Sequence, residues 1–444
     1  MDPSAPTHRT CGARPRNVAA LGRFWSPRRL AGTIGLALGA AVFALYLGLW
    51  GALIASGGTD GADYTAFYTG WTIVLHGDGT NLYDPATQAA AQREILGGRS
   101  FEAGLNPFNN PPHLVLPFVP LALVPLRASY LVWAAVQVAL LGWLIWRLLT
   151  QVAADWSREE RVLLVGGSLA APPLALALFQ GSFSLLVTVA ILEVYLALRR
   201  GRDGGAALWL VVASVKPQAV LAVGFAMLAA RRWRLLGVVA VAMAVLIASA
   251  TVVMGPGVWS HYARFLGDYV GSFDVMSVRP SVMWNLRGTL TLLIGPDVNA
   301  VQAATINTIA LIAQVVALAV VGWLWRGRWD AGSPAFALRF SLTLVLGMLL
   351  SPHLNPHDGL LLIPAVAIAY GALRTRQDGR WLGLACFAAS FVILLTNPLS
   401  VTEPGGPLVR TPVLLMGAFV VVLAVALRTA TRSAPGARAL GAPA

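Results

Sequence analysis

Three short polar clusters interrupt an otherwise apolar chain, and each holds side chains that could move a proton or hold an anion. Asp60-Gly61-Ala62-Asp63-Tyr64 places two carboxylates just past the first apolar run. At a membrane interface Asp63 is able to take a proton from an incoming hydroxyl. Asp also caps helix N-termini, and Asp60 and Asp63 are equally placed for that. Lys216-Pro217-Gln218 puts the only lysine of the chain inside an apolar stretch. An intramembrane cation is costly and marks a functional site by default, here as partner to an anionic group such as a phosphate. A structural pair with a buried acid, or snorkelling to the interface, would also explain it.

The third cluster is Ser351-Pro352-His353-Leu354-Asn355-Pro356-His357-Asp358. Pro352 and Pro356 disfavour a regular helix through both histidines, and no acid lies between them as in a zinc-hydrolase helix. Hydrogen bonding or charge stabilisation of a bound anion or sugar is therefore the better reading than a metal site. Asp358 could equally cap the apolar helix that follows. Asn109-Asn110-Pro111-Pro112-His113 ends a long polar loop, where Pro marks a helix start. Gln180 sits in a tight turn that it could simply cap. Arg279 is a positive charge on the side of the membrane where such charges are rare. No Walker A loop, Rossmann glycine pattern, Ser-His-Asp order or Cys/His metal spacing occurs, which argues against nucleotide-driven transport and for no cofactor.

These clusters must be held by membrane helices. Of the 444 residues 57% are hydrophobic and only 11% charged, against about 25% charged in a soluble domain. Apolar runs long enough to cross a hydrocarbon core of about 30 Å recur from residue 31 to residue 428. The net charge of +13 comes from short arginine clusters between those runs, which set topology and do not form a nucleic-acid surface. Cys11 and Cys386 are placed too differently to form a disulfide framework.

The pattern predicts an all-α polytopic membrane protein. Residues 1–29 form a cytoplasmic basic tail, 30–428 a single transmembrane domain, and 429–444 a second cytoplasmic tail. Outer loops cover about 56–111 and 255–299. Simple spans are expected at about 30–55, 162–179, 183–198, 234–254, 300–325, 335–351, 358–373, 381–397 and 409–428. Residues 205–230 begin and end at basic clusters, so two short helices that enter and return fit better than one crossing. Residues 112–147 make one net crossing, with Pro117, Pro120 and Pro125 breaking the first half. Irregular backbone at membrane depth is tolerated only where protein or a wet cavity covers it, so both breaks point to a site. The total is about 12 helical segments. Tyr64, Phe67, Tyr68 and Trp71 are spaced for an amphipathic helix lying in the interface.

Read together, these segments resemble glycosyltransferase family 87, whose members are similar to polyprenyl-phosphate-mannose-dependent mannosyltransferases of bacteria. The resemblance rests on an ordered series: Ala62-Asp63-Tyr64, Gly77 with Asn81-Leu82-Tyr83-Asp84, Asn110-Pro111-Pro112, Pro117 to Pro125, Gln180-Gly181, Lys216-Pro217-Gln218, and Ser351-Pro352-His353 followed by Asp358. The family pattern often has Tyr where this chain has His357. The resemblance implies a GT-C type bundle and a polyprenyl-phosphate-sugar donor, typically carrying mannose. It also implies inverting transfer to a glycolipid or glycan acceptor on the extracytoplasmic face of the bacterial cell membrane, with Asp63 as general base. Lys216, Gln218, His353, Arg279, Gln180, Asn110, His357 and Asp358 are then candidates for binding the donor phosphate or sugar. A single phosphate leaving group needs no metal if cations are already in place.

Two other classes fit the composition. One is a transporter or flippase of a lipid-linked sugar, which would not need Asp63 but would need polar residues in the cytoplasmic half. The other is a structural envelope subunit, for which Lys216 and the histidine turn would have no purpose.

Overall fold

The computed structural model describes residues 27–100, 104–273, 278–295, 297–327, 329–374 and 411–432. No β-strand occurs among them. The helices are α1 (Pro27–Ser56), α2 (Asp63–Leu75), α3 (Pro85–Ile95), α4 (Leu126–Arg147), α5 (Arg158–Ala170), α6 (Pro172–Gln180), α7 (Ser184–Arg199) and α8 (Asp203–Ala213). They continue with α9 (Pro217–Ala229), α10 (Trp233–Met254), α11 (Gly257–Gly271), α12 (Leu286–Ile294), α13 (Ala300–Leu324), α14 (Pro334–Leu349), α15 (Leu362–Leu373) and α16 (Thr411–Arg432). Short 3-10 turns include Pro112–Leu114, Leu116–Leu123 and Pro356–Leu361. The chain is a multi-pass helical membrane protein.

Six helical segments among the described residues are long and apolar enough to cross a bilayer, or seven if α5 and α6 count as one broken span. They are α1, α4, α10, α13, Pro356–Leu373 and α16. Large apolar side chains on α1, α4, α10 and α13 are exposed, among them Leu45, Leu131, Val241 and Leu311, as expected where lipid is the solvent. The span expected at 381–397 lies outside the described residues. The one expected at 162–179 is divided at Ala171, where α5 and α6 meet at 44°. Pro172 and Pro173 cannot continue the hydrogen-bond ladder of α5, so the chain turns there.

α1 packs along α5 through glycines. A Cβ on Gly39 would come within 2.3 Å of the Gly166 carbonyl oxygen, so only glycine lets these backbones approach so closely. At the far side the two short helices α8 and α9 form a hairpin, each too short to cross a bilayer alone. Arg232, just after α9, pairs with Asp203 at the start of α8, so both arms open at the same end. The arms of 11 and 13 residues are about 16 and 20 Å long, whereas α10 with 22 residues spans about 33 Å. The hairpin tip, with Lys216, therefore stops short of the far end of the bundle. α7, α10, α13 and α14 wall it in.

One expectation needs correcting. α2 is a helix, but it does not lie on the surface: from Tyr64 to Val74 every residue except Thr72 is buried. The proline-broken segment Leu116–Leu123 packs across it, and Trp71 is enclosed by Phe67, Phe118 and Phe183. The amphipathic element of the loops is instead α11. It buries Val258 and Phe265, leaves Arg264 and Asp268 exposed, and sets Tyr262 and Phe265 against Tyr83.

Candidate functional site

Asp63 is the first residue of α2, and its carboxylate does not cap the helix. The N-cap position is Ala62 and makes no side-chain bond. The Asp63 backbone N–H is instead satisfied by Gln180 at the end of α6, whose Oε1 accepts it at 3.0 Å. Asp60 bonds Arg99 at 2.5 Å. Gly181 ends α6 at φ +60, and a Cβ there would come within 2.8 Å of the Tyr64 Cβ. Glycine at this turn thus lets Gln180 reach α2. Tyr64 is further held by Ser129 at 2.6 Å.

The Asp63 side chain is left 33% exposed and faces His357, whose Nε2 lies 3.8 Å from its Oδ2. The same nitrogen lies 3.7 Å from Asp358 Oδ1. Both separations exceed a hydrogen bond, so the imidazole sits between two carboxylates without being locked to either. Asp358 Oδ1 accepts Lys216 Nζ at 2.5 Å and Ser184 Oγ at 2.7 Å, and Lys216 Nζ also reaches Ser184 Oγ at 2.8 Å. Asp358 Oδ2 takes the Asn355 N–H at 3.1 Å. The turn Pro356–Leu361 is thereby fixed to the start of α7 and the tip of the hairpin. Burial pushes the Asp63 carboxyl up to about 6, with Lys216 pulling down and Asp358 pushing up. At pH 7 it is ionised and still a competent base.

A second set of contacts ties the loop after α11 to the histidine turn. Trp284 N–H donates to the Leu354 carbonyl and Asn285 Nδ2 to the Ser351 carbonyl, each at 3.0 Å. Asn285 Oδ1 caps α12 through Gly288 N–H at 2.8 Å. That cap brings Arg287 inward, where it is 2% exposed, and burial lowers its pKa to about 10. The Tyr269 ring lies 6.2 Å from that of His353. Burial holds the His353 imidazole at about 4, with Asp358 pulling up and Arg287 and Lys216 pushing down. At pH 7 His353 is therefore neutral and offers a hydrogen bond, not a charge.

Of the residues singled out in the sequence, Asp63, His357, Asp358 and Lys216 converge, and Gln180 touches Asp63. Gln218 lines a small cleft with Lys216, Ser351 and Asp358. His353 does not line it; its ring lies near that of Tyr269. Asn110 supports the hairpin tip, its Nδ2 donating to the Val215 carbonyl at 2.9 Å, and its own carbonyl accepts the Tyr83 hydroxyl at 2.5 Å. Arg279 is exposed and shares no ion pair with a carboxylate of this cluster. The sequence reading did not single out Ser184, Tyr269 or Arg287 as site residues. Of these only Arg287 left a signal, as a charge in the first turn of the helix that Asn285 caps.

No curated protein and no solved structure matches this chain. Residues 108–352 match the model of Glycosyltransferase family 87. That stretch is more than half of the chain and holds Asn110, Gln180, Lys216, Gln218 and Arg287. Asp63 precedes it, and His353, His357 and Asp358 follow it directly. On this match the chain belongs to glycosyltransferase family 87.

Proposed function

We propose that this glycosyltransferase moves a sugar, mannose first among the candidates, from a polyprenyl-phosphate donor to a hydroxyl of an envelope glycolipid or glycan. Transfer occurs on the extracytoplasmic face, with inversion, without a metal ion, and with both termini cytoplasmic. The observation that carries the reading is the Asp63 carboxylate. It is ionised, partly exposed, unused by its own helix and set beside a buried polar cluster sunk below the end of the bundle. A GT-C type arrangement is supported by the long polar first loop and the helices broken around the site.

In this reading the acceptor hydroxyl gives its proton to Asp63 as its oxygen attacks the anomeric carbon. The bond from that carbon to the phosphate oxygen breaks, and its electron pair leaves with the polyprenyl phosphate. His357, between Asp63 and Asp358, adjusts to the charge change on Asp63. The apolar tail of the donor needs an apolar surface between helices.

The test is sugar transfer from polyprenyl-phosphate-mannose to extracted envelope lipids by purified wild type and Asp63→Asn, with and without chelator. Transfer by wild type alone, unaffected by chelator, supports the reading. Transfer by Asp63→Asn at the wild-type rate sinks the base. Donor binding with no transfer by either protein shifts the assignment to transport of a lipid-linked sugar.

A further inference from the structure

A donor that carries a phosphate needs a cation, and Lys216 is not free to supply it. Its ammonium is bonded to Asp358 and Ser184, and its side chain is only 11% exposed. Leaving Asp358 would strand a carboxylate that is 5% exposed, and an unpaired buried charge is costly. Arg279 is on the surface.

Arg287 is in the opposite position. No carboxylate of the described residues lies within ion-pair distance of its guanidinium. Of its donors, Nη2 bonds the Ser272 carbonyl at 2.8 Å, while Nε is buried without a partner. The guanidinium lies 4.7 Å from the centre of the Phe273 ring, which holds its plane but satisfies no N–H. A desolvated cation with unused donors is expensive unless an anion completes it. The arrangement is also rigid. The Asn285 and Trp284 bonds fix the residues just before Arg287 to the loop that carries His353. Ser272, which holds the guanidinium, donates its N–H to the Tyr269 carbonyl at 3.2 Å, and the Tyr269 ring faces His353.

We propose that Arg287, with His353 beside it, forms the subsite for the phosphate of the lipid-linked donor, and that Lys216 stays bound to Asp358 throughout. The inference rests on the donor reading given above. Before transfer the phosphate is a diester with one negative charge; when the electron pair of the broken bond reaches it, it becomes a monoester with a second. A guanidinium already desolvated and fixed in place stabilises that added charge without reorganising. Its fork also matches two phosphate oxygens, which an ammonium cannot do. His353 adds a hydrogen bond from a neutral ring. The Lys216–Asp358 pair, already neutral as a unit, then serves to hold the hairpin tip and Pro356–Leu361 in register with Asp63.

The experiment measures binding of polyprenyl monophosphate, unphosphorylated polyprenol and inorganic phosphate to the purified full chain in detergent. Wild type is compared with Arg287→Gln and Arg287→Lys, folding being followed by size exclusion. Wild type is expected to prefer the monophosphate to polyprenol. Both variants should lose roughly tenfold to a hundredfold of monophosphate affinity, as for a charge-assisted bond removed or misaligned, and keep polyprenol affinity. Arg287→Lys preserves the charge, so it decides the matter if Arg287→Gln does not fold. If a folded variant keeps wild-type monophosphate affinity, Arg287 is not the subsite, while the lipid donor stands. If wild type shows no preference for the monophosphate but binds inorganic phosphate through Arg287, the subsite stands and the lipid donor falls. Binding of neither anion by wild type overturns both.

Discussion

Lys216 and Asp358, 142 positions apart in the chain, meet at 2.5 Å with Ser184 closing the triangle. The pair joins the hairpin α8–α9 to the turn Pro356–Leu361 and to α7 at one point. Removing one partner of a buried pair leaves the other uncompensated and costs about 3–5 kcal/mol. Lys216→Met and Asp358→Asn are each expected to lower stability on that scale in detergent unfolding. The double variant should lose less than the sum of the two, because neither charge is then stranded. Strict additivity would mean that the two side chains do not interact in the protein.

Asp63→Asn should separate stability from activity. Loss of a general base is expected to lower transfer by about a hundredfold or more. The folded state disfavours the Asp63 charge, so the neutral amide should raise the unfolding temperature at pH 7, modestly because the side chain is partly solvated. Unfolding temperature and transfer rate on the same preparation check both halves; a drop in both would point to a structural carboxylate.

The pH dependence has a definite sign. The Asp63 carboxyl is raised from 3.8 to about 6 in the folded protein, so the base form is lost as pH falls through about 6. Transfer should decline on the acid side of that value and level off above it. Between the unfolded and folded values the native state binds more protons than the unfolded chain, so this residue's contribution to stability falls as pH rises from about 4 to about 6. A rate profile that stays flat down to pH 5 would exclude Asp63 as the titrating base.

Gly181→Ala tests how Asp63 is held. The residue is at φ +60, and the added methyl would press on Tyr64 at 2.8 Å. Strain of this kind costs roughly 1–3 kcal/mol. It would also shift Gln180, which bonds the Asp63 N–H. The rate constant of transfer should fall about tenfold with donor affinity kept, since misplacing a reacting group slows the step without weakening substrate binding. Equal loss of affinity would place the turn in the donor site.

Much of the architecture was legible because lipid imposes it. Span length and arginine placement located α1, α10 and α13 to within a few residues, and the basic clusters at both ends of 205–230 revealed the hairpin. Asp63, Lys216 and Asp358 stood out because ionisable groups are scarce in such a chain. Their meeting was not legible, since nothing local to Lys216 specifies a carboxylate 142 positions away. The environment of α2 was misjudged for a related reason. Aromatic spacing indicates a helix with one apolar face, but whether other segments cover the remaining face depends on Leu116–Leu123, which is remote in sequence. The sequence singled out Arg279 and passed over Arg287. Only the cap at Asn285, together with its bond to the Ser351 carbonyl, buries one and leaves the other in solvent.

The short arms of the hairpin also constrain how the protein is made. Segments of 11 and 13 residues fall below the roughly 17 needed for a helix to partition into the bilayer by itself. They also bring a lysine with them. During synthesis the hairpin must therefore take its place after α7 and α10 are inserted, by folding into a slot between them. Asp358 emerges much later, so Lys216 lacks its partner until most of the chain has left the ribosome. Chains truncated after residue 260 should insert α10 normally but leave Lys216 open to modification from water, and full-length chains should protect it. The contact between Lys216 and Asp358 is in this sense made only late in synthesis.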